Sequence, residues 1–264
     1  MKNLSKISNL LRKEILKSVY YGGGGHIGGS FSIIDILVYL YYKEINITKK
    51  NINSTKRDRL IFSKGHSCLA LYWILINKGI VNKSIIQSYG KNNSILAGHP
   101  EHDKIPGIEI STGSLGHGPS IGCGIAYASK LKNIKNKVYV IVGDGEMNEG
   151  SIWESFLFAA QHNLNNLTIV IDNNRYESLN RTENIMGLEP LESKLIGFNF
   201  NVERCNGHNF KEIKNKIEIL KNKKNLKPNI LIADTIKAKG VSFMEGDSKW
   251  HYRQPSKEEF NLAY

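Results

Sequence analysis

The sequence predicts an α/β fold with a central, mostly parallel sheet and helices on both faces. Two apolar, β-branched runs, Val138 to Val142 and Leu167 to Ile171, suit buried parallel strands. Between them, Glu149 to Asn163 is long enough for a crossover helix, which makes a strand-helix-strand unit. Elsewhere, glycine-rich turns run into helical patterns, as connections at the ends of parallel strands do.

The elements follow in order along the chain. Leu4, Ile7, Leu11, Ile15 and Val19 recur at helical spacing, and no continuous apolar stretch follows the lysine-rich start. This reads as a domain helix and not as a signal peptide. Gly22 to Ser30 leads into a helix over Phe31 to Tyr42, and Arg59 to Phe62 is a short strand feeding a helix over Leu69 to Lys78. His99 lies in a loop, and Ser111 to Gly124 is another glycine-rich turn into a helix. From Lys211 to Lys227 the lysines surround Ile213, Ile217 and Leu220 at helical spacing, which predicts an amphipathic helix with a solvated face.

No Pro/Gly/Ser-rich spacer or internal repeat divides the 264 residues, so a single domain over residues 1–264 is expected. No apolar stretch approaches the ~18 residues that span a bilayer, and no membrane association is expected. Cys68, Cys123 and Cys205 are widely separated with no CxxC pair, which fits neither a disulfide framework nor a zinc site and suits a reducing, cytoplasmic setting. The formal charge of +12 resides largely in amphipathic and Lys/Asn-rich segments, so no nucleic-acid partner is expected; a positive field would steer phosphorylated substrates.

The chemistry starts at the strand ends. Asp144, in Val-Gly-Asp-Gly-Glu146, and Asn174, in Ile-Asp-Asn-Asn-Arg-Tyr176, each follow an apolar run. Parallel strands would bring both to the carboxyl edge of the sheet, where open α/β folds bind ligands. A carboxylate, an amide oxygen, a nearby backbone carbonyl and phosphate oxygens suit a hard cation such as Mg²⁺, and Gly145 leaves room for a phosphate. Taken alone, Gly-Asp-Gly is also a common strand-ending turn. His26, His66, His99 and His117 sit among glycines or at helix starts, placements that favour ligand contact, although spacing alone does not bring them together. The glycine run before His26 reads as an anion-binding nest ahead of a helix.

Several ordered stretches then carry a specific likeness: GHIGGSFSIIDIL from Gly25, DRLIFSKGH from Asp58, GHPE from Gly98, ISTGSLGHG from Ile110, GDGEMNEGSIWE from Gly143, DNNRYE from Asp172 and KAKGVSFMEGDSKWH from Lys237. With them the chain resembles the amino-terminal, diphosphate-binding part of transketolases, specifically the amino-terminal subunit of split transketolases. The resemblance covers nearly the whole chain and implies the thiamine diphosphate-binding fold.

It further implies that Asp144, Asn174 and the backbone carbonyl of Tyr176 hold Mg²⁺, with Ca²⁺ or Mn²⁺ also suited, against thiamine diphosphate. Gly145 and Glu146 would lie at the diphosphate, with His66, Lys237 and His251 near it. Gly113, Ser114 and Leu115 would lie beside the cofactor rings. His26, His66, His99 and His251 would be catalytic, with His26, His99 and His251 reaching the sugar. Glu149 and Glu154 match carboxylates at a subunit interface, although acidic residues near a helix start are also favoured by the helix dipole.

The implied activity is transfer of a two-carbon ketol unit from a ketose phosphate to an aldose phosphate by thiamine diphosphate carbanion chemistry, as in the pentose phosphate pathway. The stretch ending at Tyr264 lacks a pyrimidine-binding domain. A carboxyl-terminal transketolase subunit is therefore the implied partner, in an α₂β₂ assembly, and the chain alone is expected to be inactive. Two smaller departures from the family pattern are Gly24-Gly25 before His26 and Ala238 where Gly is common. Competing readings are the α subunit of another thiamine diphosphate enzyme, of 2-oxo-acid dehydrogenase or 1-deoxyxylulose-phosphate synthase type, and a non-catalytic cofactor- or protein-binding module. The row of histidines argues for a hydroxyl-bearing ketose donor.

Overall fold

A computed structural model describes residues 1–264. Helix α1 (Lys2–Tyr21) packs on α2 (Ile27–Tyr39), which loosens into a wider turn over Leu40–Glu44. Strand β1 (Arg59–Phe62) passes through a single tight turn, Gly65–Ser67, into α3 (Cys68–Asn77). After a long connection come α4 (His117–Leu131), β2 (Val138–Gly143), α5 (Gly150–Gln161) and β3 (Leu167–Asn173). Two short helices, α6 (Thr182–Ile185) and α7 (Leu191–Gly197), precede β4 (Asn201–Asn206), α8 (Phe210–Asn222), β5 (Asn229–Asp234) and the terminal α9 (Lys257–Ala263).

All five strands are parallel, in the order β1-β2-β3-β5-β4. Alternation along each strand splits the core in two. Tyr139 and Ile141 face a large cluster built with α1, α2, α3 and α8, while Val138, Val140 and Val142 face a smaller one built with α4, α5 and α7. Because both faces are covered, the central strands carry apolar residues at nearly every position, which is why they read as continuous apolar runs. Ile213, Ile217 and Leu220 bury one stripe of α8 beneath its lysines, as the periodicity predicts, although the helix stops at Asn222. No helix is long and apolar enough to cross a membrane.

One boundary differs from the sequence reading in a way that matters. The expected helix over Phe31 to Tyr42 begins four residues earlier, at Ile27, and takes Gly28 and Gly29 into its first turn. Glycine is a poor helix former, so packing decides here. A Cβ on Gly28 would come within 2.7 Å of the Trp250 carbonyl oxygen, and one on Gly29 within 2.4 Å of Ser67 Oγ. Only a bare helix face admits both neighbouring loops.

Candidate active site

Four of the five strands deliver a functional group at their carboxyl ends. β1 runs out into Lys64 and His66, β2 into Asp144, β3 into Asn174, and β5 into Lys237. Since the strands are parallel, all these groups meet at one edge, around a cavity of about 300 Å³. Its lining includes His26, His66, His99 and His251, together with Gly113, Leu115, Gly145, Glu146, Tyr176 and Lys237. Every site residue named from the sequence lines this cavity except Ser114, which is exposed outside it. His117, at the exposed start of α4, also stays apart.

At the floor, Asp144 is 1% exposed and accepts hydrogen bonds from the backbone N–H groups of Gly145 and Arg175. No cationic side chain hydrogen-bonds to it. Burial, and then the negative charge of Asp172, push its carboxyl up to about 7. A carboxylate so placed lacks a compensating cation, and this is the feature that fits a bound metal. No three His, Cys, Asp or Glu side chains form a ready cage, so a cation would depend on Asp144, the Asn174 amide, the Tyr176 carbonyl and oxygens brought by its ligand. Asn174 Oδ1 accepts from the Tyr176 backbone N–H at 3.0 Å, which holds the two residues in register.

Glu146, which lines the cavity, also has an architectural role. Its carboxylate accepts from Ser63 Oγ at 2.7 Å, Gly143 N at 2.9 Å and Gly116 N at 3.1 Å. It therefore ties the turn after β1, the turn after β2 and the glycine-rich start of α4 into one wall. Glu149, at the cap of α5, and Glu154, on that helix, are exposed.

Two floor residues escaped the sequence reading. Lys64 and Asp172 form an ion pair in which the side chains are 1% and 0% exposed. Asp172 also accepts from Ser32 Oγ at 2.6 Å and from the Thr235 hydroxyl, so β1, α2, β3 and the end of β5 share one buried carboxylate. An aspartate inside an otherwise apolar strand was the available signal, because a buried charge requires a partner.

The mouth is a cluster of imidazoles. His26 sits with its ring centroid 5.4 Å from that of His66, 5.7 Å from His99 and 5.2 Å from His251. Residues from four separate stretches of chain thus converge, which their spacing could not show. Burial, followed by the charge of His99, lowers His26 to about 4; burial, followed by Lys237, lowers His251 to about 3. Burial likewise drives His66 well below its usual range. These three rings are neutral at neutral pH.

Lys237 joins floor and mouth. Its ammonium donates to the Glu177 carbonyl oxygen at 2.7 Å and to His251 Nδ1 at 3.1 Å, which leaves the His251 proton on Nε2. Burial, then the nearby Lys64, lowers it to about 8. Its loop is pinned from behind: His208 Nε2 accepts from Ile236 N at 2.9 Å, while His208 Nδ1 lies 2.7 Å from Asp35, which pairs with Arg12 at 2.6 Å. Ala238, next along, has φ of 60°, a left-handed conformation that explains why glycine is the natural residue there.

The glycine run before His26 does not form the anion nest expected from the sequence. None of Gly22 to Gly25 lines the cavity. A Cβ on Gly22 or Gly25 would instead meet the Tyr89 ring or hydroxyl within 3 Å. These glycines make room for tyrosines and not for phosphate.

Comparison with known proteins agrees with this arrangement. Residues 4–261 match the family described as transketolase, thiamine diphosphate binding domain. A relative from Phocaeicola vulgatus, named as one of the subunits of apulose-4-phosphate transketolase, is 40% identical over 96% of this chain and 89% of its own length. Another, from a Clostridium species and named as a 6-deoxy-6-sulfo-D-fructose transketolase subunit, is 36% identical over 99% of this chain and 94% of its own. Among solved structures, the transketolase of Campylobacter jejuni superimposes with a TM-score of 0.93 at 31% identity, covering 100% of this chain and 42% of that one. The Leishmania mexicana transketolase gives 0.91 at 24% identity, covering 98% and 40%, which bears on the fold alone. The chain thus spans about two fifths of those solved transketolases. It belongs to the transketolase family, as a transketolase-type enzyme component built of the thiamine diphosphate binding domain.

Proposed function

We propose that this chain is the amino-terminal subunit of a two-chain transketolase, moving a two-carbon ketol unit from a ketose to an aldose in company with a carboxyl-terminal, pyrimidine-binding subunit. The observation that carries the reading is the ring of histidines, His26, His66, His99 and His251, at the mouth of a cavity whose floor is Asp144 and Asn174. The extent of the relatives named as transketolase subunits, 89% or more of which this chain covers, supports a separate partner. An α₂β₂ assembly in the cytoplasm is the arrangement we expect, with Glu149 and Glu154 at the contact between subunits.

When bound, thiamine diphosphate supplies the carbon nucleophile and electron sink for breaking and remaking the carbon-carbon bond. The residues of this chain bind and orient. Asp144, Asn174 and the Tyr176 carbonyl would hold Mg²⁺ at the diphosphate, while His66, Lys237 and His251 donate hydrogen bonds towards it. Gly145 leaves the phosphates space, and Gly113 and Leu115 flank the rings. Because His26 is neutral near pH 7, it can accept a proton from a sugar hydroxyl at one nitrogen and donate at the other, while His251, whose Nδ1 is taken by Lys237, presents its Nε2 N–H as a donor.

The relatives are named for apulose 4-phosphate and 6-deoxy-6-sulfofructose. A ketose with a terminal anionic group is therefore the donor class, with xylulose 5-phosphate and ribose 5-phosphate as the first pair to assay. The test is reconstitution with the partner, Mg²⁺ and thiamine diphosphate, following ketol transfer across phosphorylated and sulfonated ketoses. Pyruvate decarboxylation without any ketol transfer would overturn the reading.

A further inference from the structure

Resting on that reading, we propose that Tyr252 is a specificity-determining residue that reads the hydroxyl-bearing chain of the sugar. Tyr252 follows His251, and its ring meets His26 edge-on with centroids 4.7 Å apart, closer than any of the three histidines around His26. His26 lines the cavity, and Tyr252 stands immediately outside the lining, so it forms the rim that a bound sugar would pass.

The rim is built to hold this ring. Gly24 has φ of 138°, and a Cβ there would come within 3.5 Å of the Tyr252 hydroxyl oxygen and 3.7 Å of the carbon bearing it. The phenol lies against Gly24, while Tyr89 fills the space beside the flanking Gly22 and Gly25. Gly24 is buried, whereas Tyr252 is 61% exposed, so the hydroxyl end of the ring rests beside the glycine turn while most of the side chain stays open to solvent. A large aromatic laid over a glycine turn and against a site histidine narrows the mouth on one side. Its hydroxyl can give and take one hydrogen bond, which matches a polyol chain and has no counterpart in a donor that lacks one.

The two kinds of donor separate the roles. Xylulose 5-phosphate carries a polyol chain beyond its ketol unit; 3-hydroxypyruvate carries the same two carbons with a carboxylate in its place. In the reconstituted enzyme, Tyr252→Phe should lower kcat/KM for xylulose 5-phosphate by about tenfold, the worth of one neutral hydrogen bond, and leave 3-hydroxypyruvate unchanged. Tyr252→Gly should in addition raise relative activity towards ketoses with bulkier chains. Thiamine diphosphate affinity by calorimetry should match the wild type in both variants, since the residue lies outside the cofactor cavity. Equal loss on both donors, or loss on neither, overturns the role of Tyr252 while wild-type transfer upholds the enzyme. Transfer from neither donor by the wild type overturns the transketolase reading, and this inference with it.

Discussion

The floor and the mouth of the cavity are made of opposite materials. The floor is charge sunk in the protein: Asp144, Asp172 and Lys64 are each about 1% exposed or less. The mouth is polar but uncharged, with His26 and His251 lowered to about 4 and about 3. Burial causes both conditions. A carboxylate cannot leave the floor and calls for a cation, and Asp172 is paired with Lys64 while no cationic side chain hydrogen-bonds to Asp144. An imidazole sheds its proton instead. Under the proposed function, the floor would receive a metal-bound anion and the mouth would exchange protons with neutral hydroxyls.

The sharpest way to break this contrast is to remove charge from the floor. Asp172→Ala strands Lys64 without its partner and should cost about 3–5 kcal/mol of folding stability by denaturant titration. An unchanged midpoint would mean that the pair is not the buried structural charge described. Asp144→Asn should behave differently although it lies close by. Its single amide oxygen accepts from only one of the Gly145 and Arg175 N–H groups, which bond different oxygens of Asp144, but the substitution also sheds a buried charge, so stability without cofactor should change little. Affinity for Mg²⁺ and thiamine diphosphate should fall by at least the roughly hundredfold seen when a metal ligand loses its support. Calorimetry showing undiminished cofactor affinity would sink the metal assignment.

The mouth is tested by acid. The folded pKa values of His26 and His251 lie below the ordinary 6.5, so on acidification the unfolded chain takes up protons first. Their neutral burial costs nothing above about pH 6.5, and stability should decline from there towards pH 4. A His26→Asn/His251→Asn variant should show a shallower fall in Tm across that window. Equal slopes would mean that other groups, such as the floor carboxylates, dominate the acid response.

The smallest effect concerns the hinge between the two regions. Ala238→Gly should stabilise the fold by about 0.5–1 kcal/mol, because relief of left-handed strain slightly exceeds the entropy glycine loses on folding. Thermal unfolding at neutral pH reads this directly, and a lower Tm would show that the buried methyl group matters more than the strain.

Legibility followed the same divide. Asp144 and Asn174 could be placed from the sequence because each ends an apolar run, and strand direction alone carries both to the same edge. Lys237 and His251 were named by family likeness, whereas His26, His66 and His99 stood out by their glycine-rich or helix-start settings, and His26 then received the wrong surroundings: its glycine run looked like a phosphate nest and proved to be the bed for Tyr89 and Tyr252. Ser114 adjoined two cavity residues in sequence but lies exposed outside the lining. Lys64 and Asp172 went unseen, one beside a histidine and the other inside a strand.

The sequence by itself therefore determined the fold class, the covered parallel strands and the placing of Asp144 and Asn174 at one sheet edge, since apolar periodicity and strand ends are local properties of the chain. Tertiary structure alone decided which distant residues meet. The strand order β1-β2-β3-β5-β4, and the bare face of α2 at Gly28 and Gly29, bring residues 26, 66, 99 and 251 within a few ångströms of one another. Contacts across so many intervening residues depend on how whole layers pack, and local pattern carries no record of that.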